Sequence, residues 1–172
     1  MTTTIQDNRR QELFSAAEAK FGFLPNVLKQ MGTSPAALEV YLKGQAALGN
    51  PGNRLTAEQR NYVQLATSER NDCKYCVAAH KTMGSMQGSD KANLAAVAAG
   101  ESIADDAGGL YVEATRLIME KQGHLDGQDI ARLEAQGLDR EVLYEIVASV
   151  GVKLISNWIN HIAGTKVDAQ FS

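Results

Sequence analysis

The ten residues from 71 to 80 read NDCKYCVAAH and hold Cys73, Cys76 and His80, which are both cysteines of the chain and one of its three histidines. Cys73 and Cys76 are three residues apart, and Cys76 and His80 are four apart. Because residues three and four apart are neighbours on a helix, this spacing places all three side chains on one helical face. A thiol pair followed one turn later by an imidazole is typical of redox chemistry. We interpret the rest of the chain as the helical scaffold that holds this stretch.

Helical patterns flank this stretch on both sides, and no convincing strand alternation is found. A helix is predicted over about 57–70, where Thr56 and Gln59 can form a capping box. Asn71-Asp72 is expected to interrupt that helix and to cap the next one, which carries Cys73 to about residue 86.

The first helix is predicted over about 7–20 and the longest over about 140–163. The apolar face of the longest helix is expected to comprise Val142, Leu143, Ile146, Val147, Val150, Leu154, Ile155, Trp158, Ile159 and Ile162. The sequence therefore predicts a compact all-α single domain, spanning residues 1–172, of about eight helices joined by short loops.

Composition limits the classes of function. The 172 residues are 44% hydrophobic and 22% charged, with a net charge of −3 and no basic patch, so no nucleic-acid partner is expected. We found no apolar stretch approaching the ~20 residues that cross a bilayer, and the N-terminus lacks the apolar core of a signal peptide. A cytoplasmic location without membrane contact is expected, and in that compartment a close cysteine pair is more often catalytic or metal-binding than structural.

The spacing predicts a role for each member of the triad. A free cysteine titrates near ~8.5, and two features would lower that value: the positive end of the helix dipole and a nearby imidazole. Cys76 lies beside His80 and is the better candidate for the attacking thiolate, with His80 accepting its proton. Cys73 lies one turn earlier and can condense with an oxidised Cys76 to form a disulfide, which an outside dithiol would reduce.

Other interpretations of the two cysteines stay open. With His80 they would supply three zinc ligands, but a structural site normally has four, and Asp72 is a weak candidate for the fourth. Two buried structural cysteines could also be three apart by coincidence. A thioredoxin-type motif would follow a strand, whereas the preceding segment has a helical pattern. No metal and no cofactor are expected.

Three segments carry a resemblance to a known family. The run Leu55–Arg60, the run Leu65–Ser68 and the stretch 71–80 resemble the core of the alkylhydroperoxidase-D-like, carboxymuconolactone decarboxylase superfamily. The Cys-x-Tyr-Cys-x-x-x-His run is the specific part, and weaker similarity extends to 22–26 and to 157–161 with Asp168. The resemblance implies an all-α fold, a homo-oligomer that is often a trimer or hexamer, and thiol peroxidase activity in the branch with two cysteines.

The resemblance also implies site residues. Cys76 resembles the peroxidatic cysteine, Cys73 its resolving partner and His80 the relay histidine. Members of the family often carry a glutamate twelve residues before the first cysteine, and this chain has Asn61 there. Glu58 and Glu69 are possible substitutes in a proton relay, although each is more simply a surface carboxylate.

Two further residues are candidates for the site. Tyr75 lies between the cysteines, as in many members of the family, and is a possible pocket residue. His161 is a possible pocket or interface residue, although a histidine on an apolar helix is more often structural.

We therefore expect a peroxidase that reduces alkyl or hydrogen peroxides through a dithiol–disulfide cycle. Its partners would be the peroxide, an external dithiol or thioredoxin-like reductant, and further copies of the chain, with a dimer also possible. The alternatives are a redox-sensing oligomeric module without turnover and a lyase of the decarboxylase type.

Overall fold

The computed structural model describes residues 2–171, and all the secondary structure in this range is helical. Its nine α-helices are α1 (Thr2–Phe21), α2 (Asn26–Met31), α3 (Pro35–Leu48), α4 (Ala57–Arg70), α5 (Lys74–Met86), α6 (Lys91–Ala98), α7 (Gly109–Glu120), α8 (Gly127–Ala135) and α9 (Arg140–Ala163). Two short 3₁₀ turns span Asp105–Ala107 and Ala169–Phe171. The all-α prediction is confirmed, with one helix more than the approximate number expected and an earlier start for α1.

Local capping explains where several helices begin. The Thr56 side chain accepts a hydrogen bond from the backbone N–H of Gln59, and the Gln59 side chain accepts one from the backbone N–H of Thr56. This reciprocal pair is the predicted capping box at the start of α4. The expectation for Asp72 was wrong, because Asp72 takes a left-handed φ of 50° and the cap residue of α5 is Cys73.

Helix α9 is the longest helix, and it contacts α2, α3, α4, α5 and α7. Its length and composition would allow it to cross a membrane, which corrects the sequence-based statement that no such stretch exists. In this fold, however, one side of α9 is packed against the other helices.

The predicted apolar face of α9 is only partly buried. Val142, Leu143, Ile146 and Val150 lie in the core, but Trp158 is 56% exposed. The C-terminal half instead turns polar side chains inward, namely Lys153, Ser156, Asn157 and Asn160, and Ser149 is buried just before it. Apolar residues occur on both faces of this half of α9. Hydrophobic spacing alone therefore predicted the wrong face of the helix to be buried.

Candidate functional site

The junction of α4 and α5 positions both cysteines. Cys73 is the cap residue of α5, and Cys76 is its third helical residue. The backbone N–H of Cys73 donates to the carbonyl of Ser68, and the Asn71 side chain donates 3.0 Å to Asn157 on α9. Both thiols are free and only 1% exposed. The predicted helical face therefore forms, and it is held against α9.

Only one of the two cysteines reaches a cavity. A cavity of about 430 Å³ is lined by residues that include Cys76, His80, Asn61, Lys153, Tyr75 and Phe171, whereas Cys73 is not part of its wall. A small molecule in the cavity would meet Cys76 first. Cys73 lies behind it, close enough to share a hydrogen-bond donor with it.

Buried groups of α9 surround the sulfur of Cys76. Asn160 Nδ2 lies 3.2 Å from Cys76 Sγ and 3.8 Å from Cys73 Sγ, and Ser156 Oγ lies 3.8 Å from Cys76 Sγ. The hydrogen bond from Cys73 and the positive charge of Lys153 lower the pKa of Cys76 to about 5, against the opposing effect of burial. The same hydrogen bond, together with burial, raises the pKa of Cys73. At neutral pH the stable arrangement is a Cys76 thiolate that accepts a hydrogen bond from the Cys73 thiol.

Lys153 supplies the charge that balances this thiolate. Its side chain is buried, and no carboxylate pairs with it among the ion pairs formed by residues 2–171. Burial is the largest single effect and lowers the pKa of Lys153, but the interactions with Cys76, Tyr41 and Cys73 together outweigh it and raise the pKa overall. A buried cation is stable only when it is paired, so the Cys76 thiolate is its natural partner.

His80 has a neutral ring with a defined tautomer. Burial, and then the charge of Lys153, lower the pKa of His80 well below its usual value. Asn61 Nδ2 donates to the backbone carbonyl of His80 at 3.1 Å, so Asn61 Oδ1 is the atom that faces His80 Nδ1 at 2.8 Å. An amide oxygen can only accept here, so the proton lies on Nδ1 and Nε2 keeps its lone pair.

Of the three relay candidates, the structure brings only Asn61 to the histidine. Glu58 is exposed, and the carboxylate of Glu69 lies 3.5 Å from Arg116. Neither glutamate lines the cavity. The candidate site therefore has an amide where the resemblance implied a carboxylate.

The two pocket candidates have different positions. Tyr75 lines the cavity, and its hydroxyl donates to Asp168 at 2.5 Å. His161 is exposed and is not part of the cavity wall, which corrects the suggestion that it lines the pocket. It follows Asn160 by one residue, and a turn of about 100° per residue carries it from the buried face to the outside.

Sequence reasoning missed the polar residues of α9. Lys153, Ser156, Asn157 and Asn160 recur at helical spacing within an apolar helix, and that pattern was the available signal for a buried polar face. No group of three or more His, Cys, Asp or Glu side chains between residues 2 and 171 is placed to hold a metal ion.

Comparisons with known proteins agree with this architecture. The profile described as PA26 p53-induced protein (sestrin) matches residues 1–101, which include both cysteines, His80 and Asn61. No curated protein sequence matches the chain significantly.

Solved structures with similar folds include two named as peroxidase-related. One is the uncharacterized peroxidase-related protein with an alkylhydroperoxidase AhpD core from Ralstonia eutropha JMP134, at 23% identity and a TM-score of 0.83, covering 96% of this chain and 87% of that one. Another is the uncharacterized peroxidase-related protein from Silicibacter sp. TM1040, at 18% identity and a TM-score of 0.79, covering 94% and 85%.

A third similar structure carries a different name. The debrominase Bmp8 has 18% identity and a TM-score of 0.73, with 94% of this chain and 87% of that one covered. These likenesses establish the fold, and the profile match covers more than half of the sequence. The chain thus belongs to the PA26 p53-induced protein (sestrin) family, and its fold is that of the alkylhydroperoxidase AhpD core.

Proposed function

We propose that this chain is a thiol peroxidase that reduces alkyl or hydrogen peroxides through a Cys73–Cys76 disulfide. The observation that carries the proposal is that Cys76, the cysteine with the lowered pKa, is also the one that lines the cavity. A thiolate is the nucleophile that attacks peroxide oxygen, and a buried thiolate beside a cation is a costly arrangement for a purely structural cysteine. The names of the two peroxidase-related structures support the same chemistry.

The first step would consume the peroxide. The Cys76 thiolate attacks one peroxide oxygen, the O–O bond breaks, and Cys76 becomes a sulfenic acid while the alkoxide leaves as an alcohol after gaining a proton. Lys153 and Asn160 stabilise the thiolate before the attack. Since His80 is neutral with Nε2 unprotonated, Nε2 would accept the proton of the peroxide and pass it to the leaving alkoxide, and the sulfenate left on Cys76 would take a proton from water to become the sulfenic acid.

The second step would form the disulfide. The thiol of Cys73 gives up its proton and its sulfur attacks the sulfenic sulfur of Cys76, so that water leaves and the disulfide forms. An external dithiol or thioredoxin-like protein supplies the two electrons that restore both thiols. A cytoplasmic location and a homo-oligomeric state remain part of this proposal.

Thiol titration tests the proposal directly. One equivalent of an organic peroxide should remove two thiols per chain, and the Cys76→Ser variant should lose turnover with a dithiol reductant. The Cys73→Ser variant serves as the matched control, since it should still react once and stop at a sulfenic acid that dimedone traps. Unchanged thiols in the wild type, or full turnover by Cys76→Ser, would rule out the mechanism.

The same thiol titration and turnover measurements distinguish a peroxidase from a redox sensor and from a lyase. A redox sensor would lose two thiols but turn over slowly, and its assembly would change on oxidation. A lyase that uses His80 as a base would keep its activity without either cysteine. The similarity to a named debrominase makes brominated compounds a useful second substrate class in the assay.

A further inference from the structure

The charges along the cavity wall are unbalanced. Lys20, Arg60 and Lys153 line the cavity, and the wall contributed by residues 2–171 contains no aspartate or glutamate. The chain as a whole is acidic, with a net charge of −3, so this excess of positive charge is local to the cavity. A concave surface lined by charges of one sign concentrates ions of the opposite sign. The cavity is therefore suited to an anionic ligand.

Two of these three cations are open to such a ligand. Lys153 is buried and already balances the Cys76 thiolate. Arg60 and Lys20 form no ion pair with a carboxylate in the part of the chain that the structure describes. Within that part Arg60 donates only through Nη1, which lies 2.8 Å from the carbonyl oxygen of Leu48. Its Nε and Nη2 donors remain for a ligand.

Helix α4 shows where Arg60 lies along the cavity. Ala57, Arg60, Asn61 and Gln64 all line the cavity, and their spacing places them on one helical face about 10 Å long. Exposure falls along this face, because Ala57 is exposed, Arg60 is half-buried, and Asn61 and Gln64 are buried. Arg60 therefore lies between the solvent and Asn61, the residue that holds the His80 ring. An anion bound to Arg60 would lie on the outer side of the reacting groups.

The rest of the wall is mainly apolar and includes Val27, Leu28, Leu42, Met83 and Phe171. The cavity volume of about 430 Å³ falls in the range of about 300–1,000 Å³ that small organic ligands occupy. A water molecule takes up roughly 30 Å³ in the liquid, so hydrogen peroxide would leave most of this cavity unfilled. A molecule with an apolar body and one anionic end matches both the apolar wall and the open cations.

We propose that the preferred substrate is an organic hydroperoxide with a carboxylate on an apolar body, and that Arg60, assisted by Lys20, binds the carboxylate. This inference rests on the peroxidase function proposed above. The hydroperoxide takes two electrons from the thiols of Cys73 and Cys76, and the products are the hydroxy acid, one water and the disulfide. The carboxylate does not react. It anchors the substrate through the guanidinium, whose planar fork binds carboxylates by parallel hydrogen bonds.

Binding of an unreactive carboxylate tests the recognition apart from the redox reaction. Octanoate has an apolar body and a carboxylate but no peroxide, and in the cavity it should protect Cys76 from iodoacetamide. Neutral octanamide should need at least about ten times the concentration, and Arg60→Gln should raise the dissociation constant of octanoate at least about tenfold. Arg70→Gln is the matched control, because Arg70 is exposed on the same helix and is not part of the cavity wall.

A second variant keeps the test decisive if the first one unfolds. Arg60→Gln removes the hydrogen bond to Leu48, whereas Lys20 is exposed and its Nζ lies 5.7 Å from the ring centroid of Phe21, so Lys20→Gln should fold normally. Lys20→Gln should weaken octanoate binding by about twofold to fivefold. Equal protection by octanoate and octanamide, or unchanged octanoate binding in both variants, would overturn the proposal. Protection by inorganic phosphate as strong as that by octanoate would also overturn it, because the apolar wall would then play no part.

Turnover of a matched pair of substrates tests the same recognition during the reaction. The wild type should reduce the hydroperoxide of linoleic acid with a kcat/KM at least about ten times that for the hydroperoxide of its methyl ester, mainly through KM, and Arg60→Gln should remove this difference. Equal kcat/KM values in the wild type would refute this substrate and leave the peroxidase function standing. Absence of turnover with both hydroperoxides would refute the peroxidase function and this substrate with it.

Discussion

At the scale of single residues, the candidate site divides two tasks between two side chains. One task is to balance the charge of the thiolate and the other is to orient the histidine, and one acid–base pair could perform both. Lys153 provides the positive charge beside the Cys76 sulfur, and Asn61 fixes the His80 tautomer. A glutamate at position 61 would favour a charged imidazole, whereas an amide leaves the ring neutral. The absence of the relay glutamate is therefore compatible with a reactive thiolate, because the stabilising charge comes from α9.

The titration of Cys76 should reveal the role of Lys153. With a pKa near 5 the thiolate persists from pH 8 down to about pH 6 and is protonated as the pH falls through 5. Thiolate absorbance at 240 nm and the rate of peroxide reduction should follow that curve. Lys153→Met removes the positive charge, so both curves should move to higher pH by at least about one unit.

Lys43→Met is the matched control, because Lys43 is exposed on α3, and it should leave the titration unchanged. A wild-type inflection near pH 8.5, the value for an ordinary cysteine, would contradict the assignment of Cys76 as a resting thiolate.

At the scale of elements, close packing of α5 against α4 and α6 holds the histidine partner in place. A Cβ on Gly84 would lie 2.5 Å from Asn61 Nδ2 and 2.7 Å from Leu94 Cδ2. Both distances are shorter than a side chain tolerates. Gly84 on α5 therefore leaves the space in which the Asn61 amide reaches the carbonyl of His80.

Gly84→Ala should lower both stability and activity. Overpacking of this size costs about 1–3 kcal/mol, which outweighs the roughly 1 kcal/mol that alanine adds to helix propensity. Urea denaturation should show a net loss of up to about 2 kcal/mol, and the peroxide rate should fall because Asn61 is displaced. Gly127→Ala, which meets no neighbouring atom, should change the free energy of unfolding by less than about 0.5 kcal/mol. An equal loss in both variants would show that Gly84 packing is not the cause.

At the scale of the whole molecule, the C-terminal segment contributes to the wall of the cavity. Asp168 accepts hydrogen bonds from the backbone N–H of Asn26 at 3.1 Å and from the Tyr75 hydroxyl. Phe171 packs edge-on against Tyr75, with ring centroids 6.0 Å apart, and lines the cavity. The segment thus joins α2 to α5 beside the reactive sulfur.

A chain that ends at Gly164 should have a more open and less stable site. It loses the charged hydrogen bonds of Asp168, so the free energy of unfolding should fall by about 2 kcal/mol or more. Reaction of Cys76 with the bulky reagent 5,5′-dithiobis(2-nitrobenzoate) should accelerate at least about tenfold. The full-length Gln170→Ala variant should react as the wild type does, since Gln170 is exposed. Equal reagent rates in all three proteins would show that the segment does not control access.

Local interactions made part of this structure predictable from the sequence. The cap at Thr56 and the shared face of Cys73, Cys76 and His80 depend on residues within one or two helical turns of each other. Such contacts form whatever the rest of the chain does, so spacing and residue type suffice to predict them.

Only the tertiary structure decided which residues complete the site. Lys153 and Asn160 come from about 80 residues further along the chain, and Asp168 reaches Tyr75 from nearly the C-terminus. Hydrophobic periodicity could not place them, because α9 has apolar residues on both faces of its C-terminal half. Packing against α4 and α5 determines which face is buried, and it buries the polar one beside the cysteines.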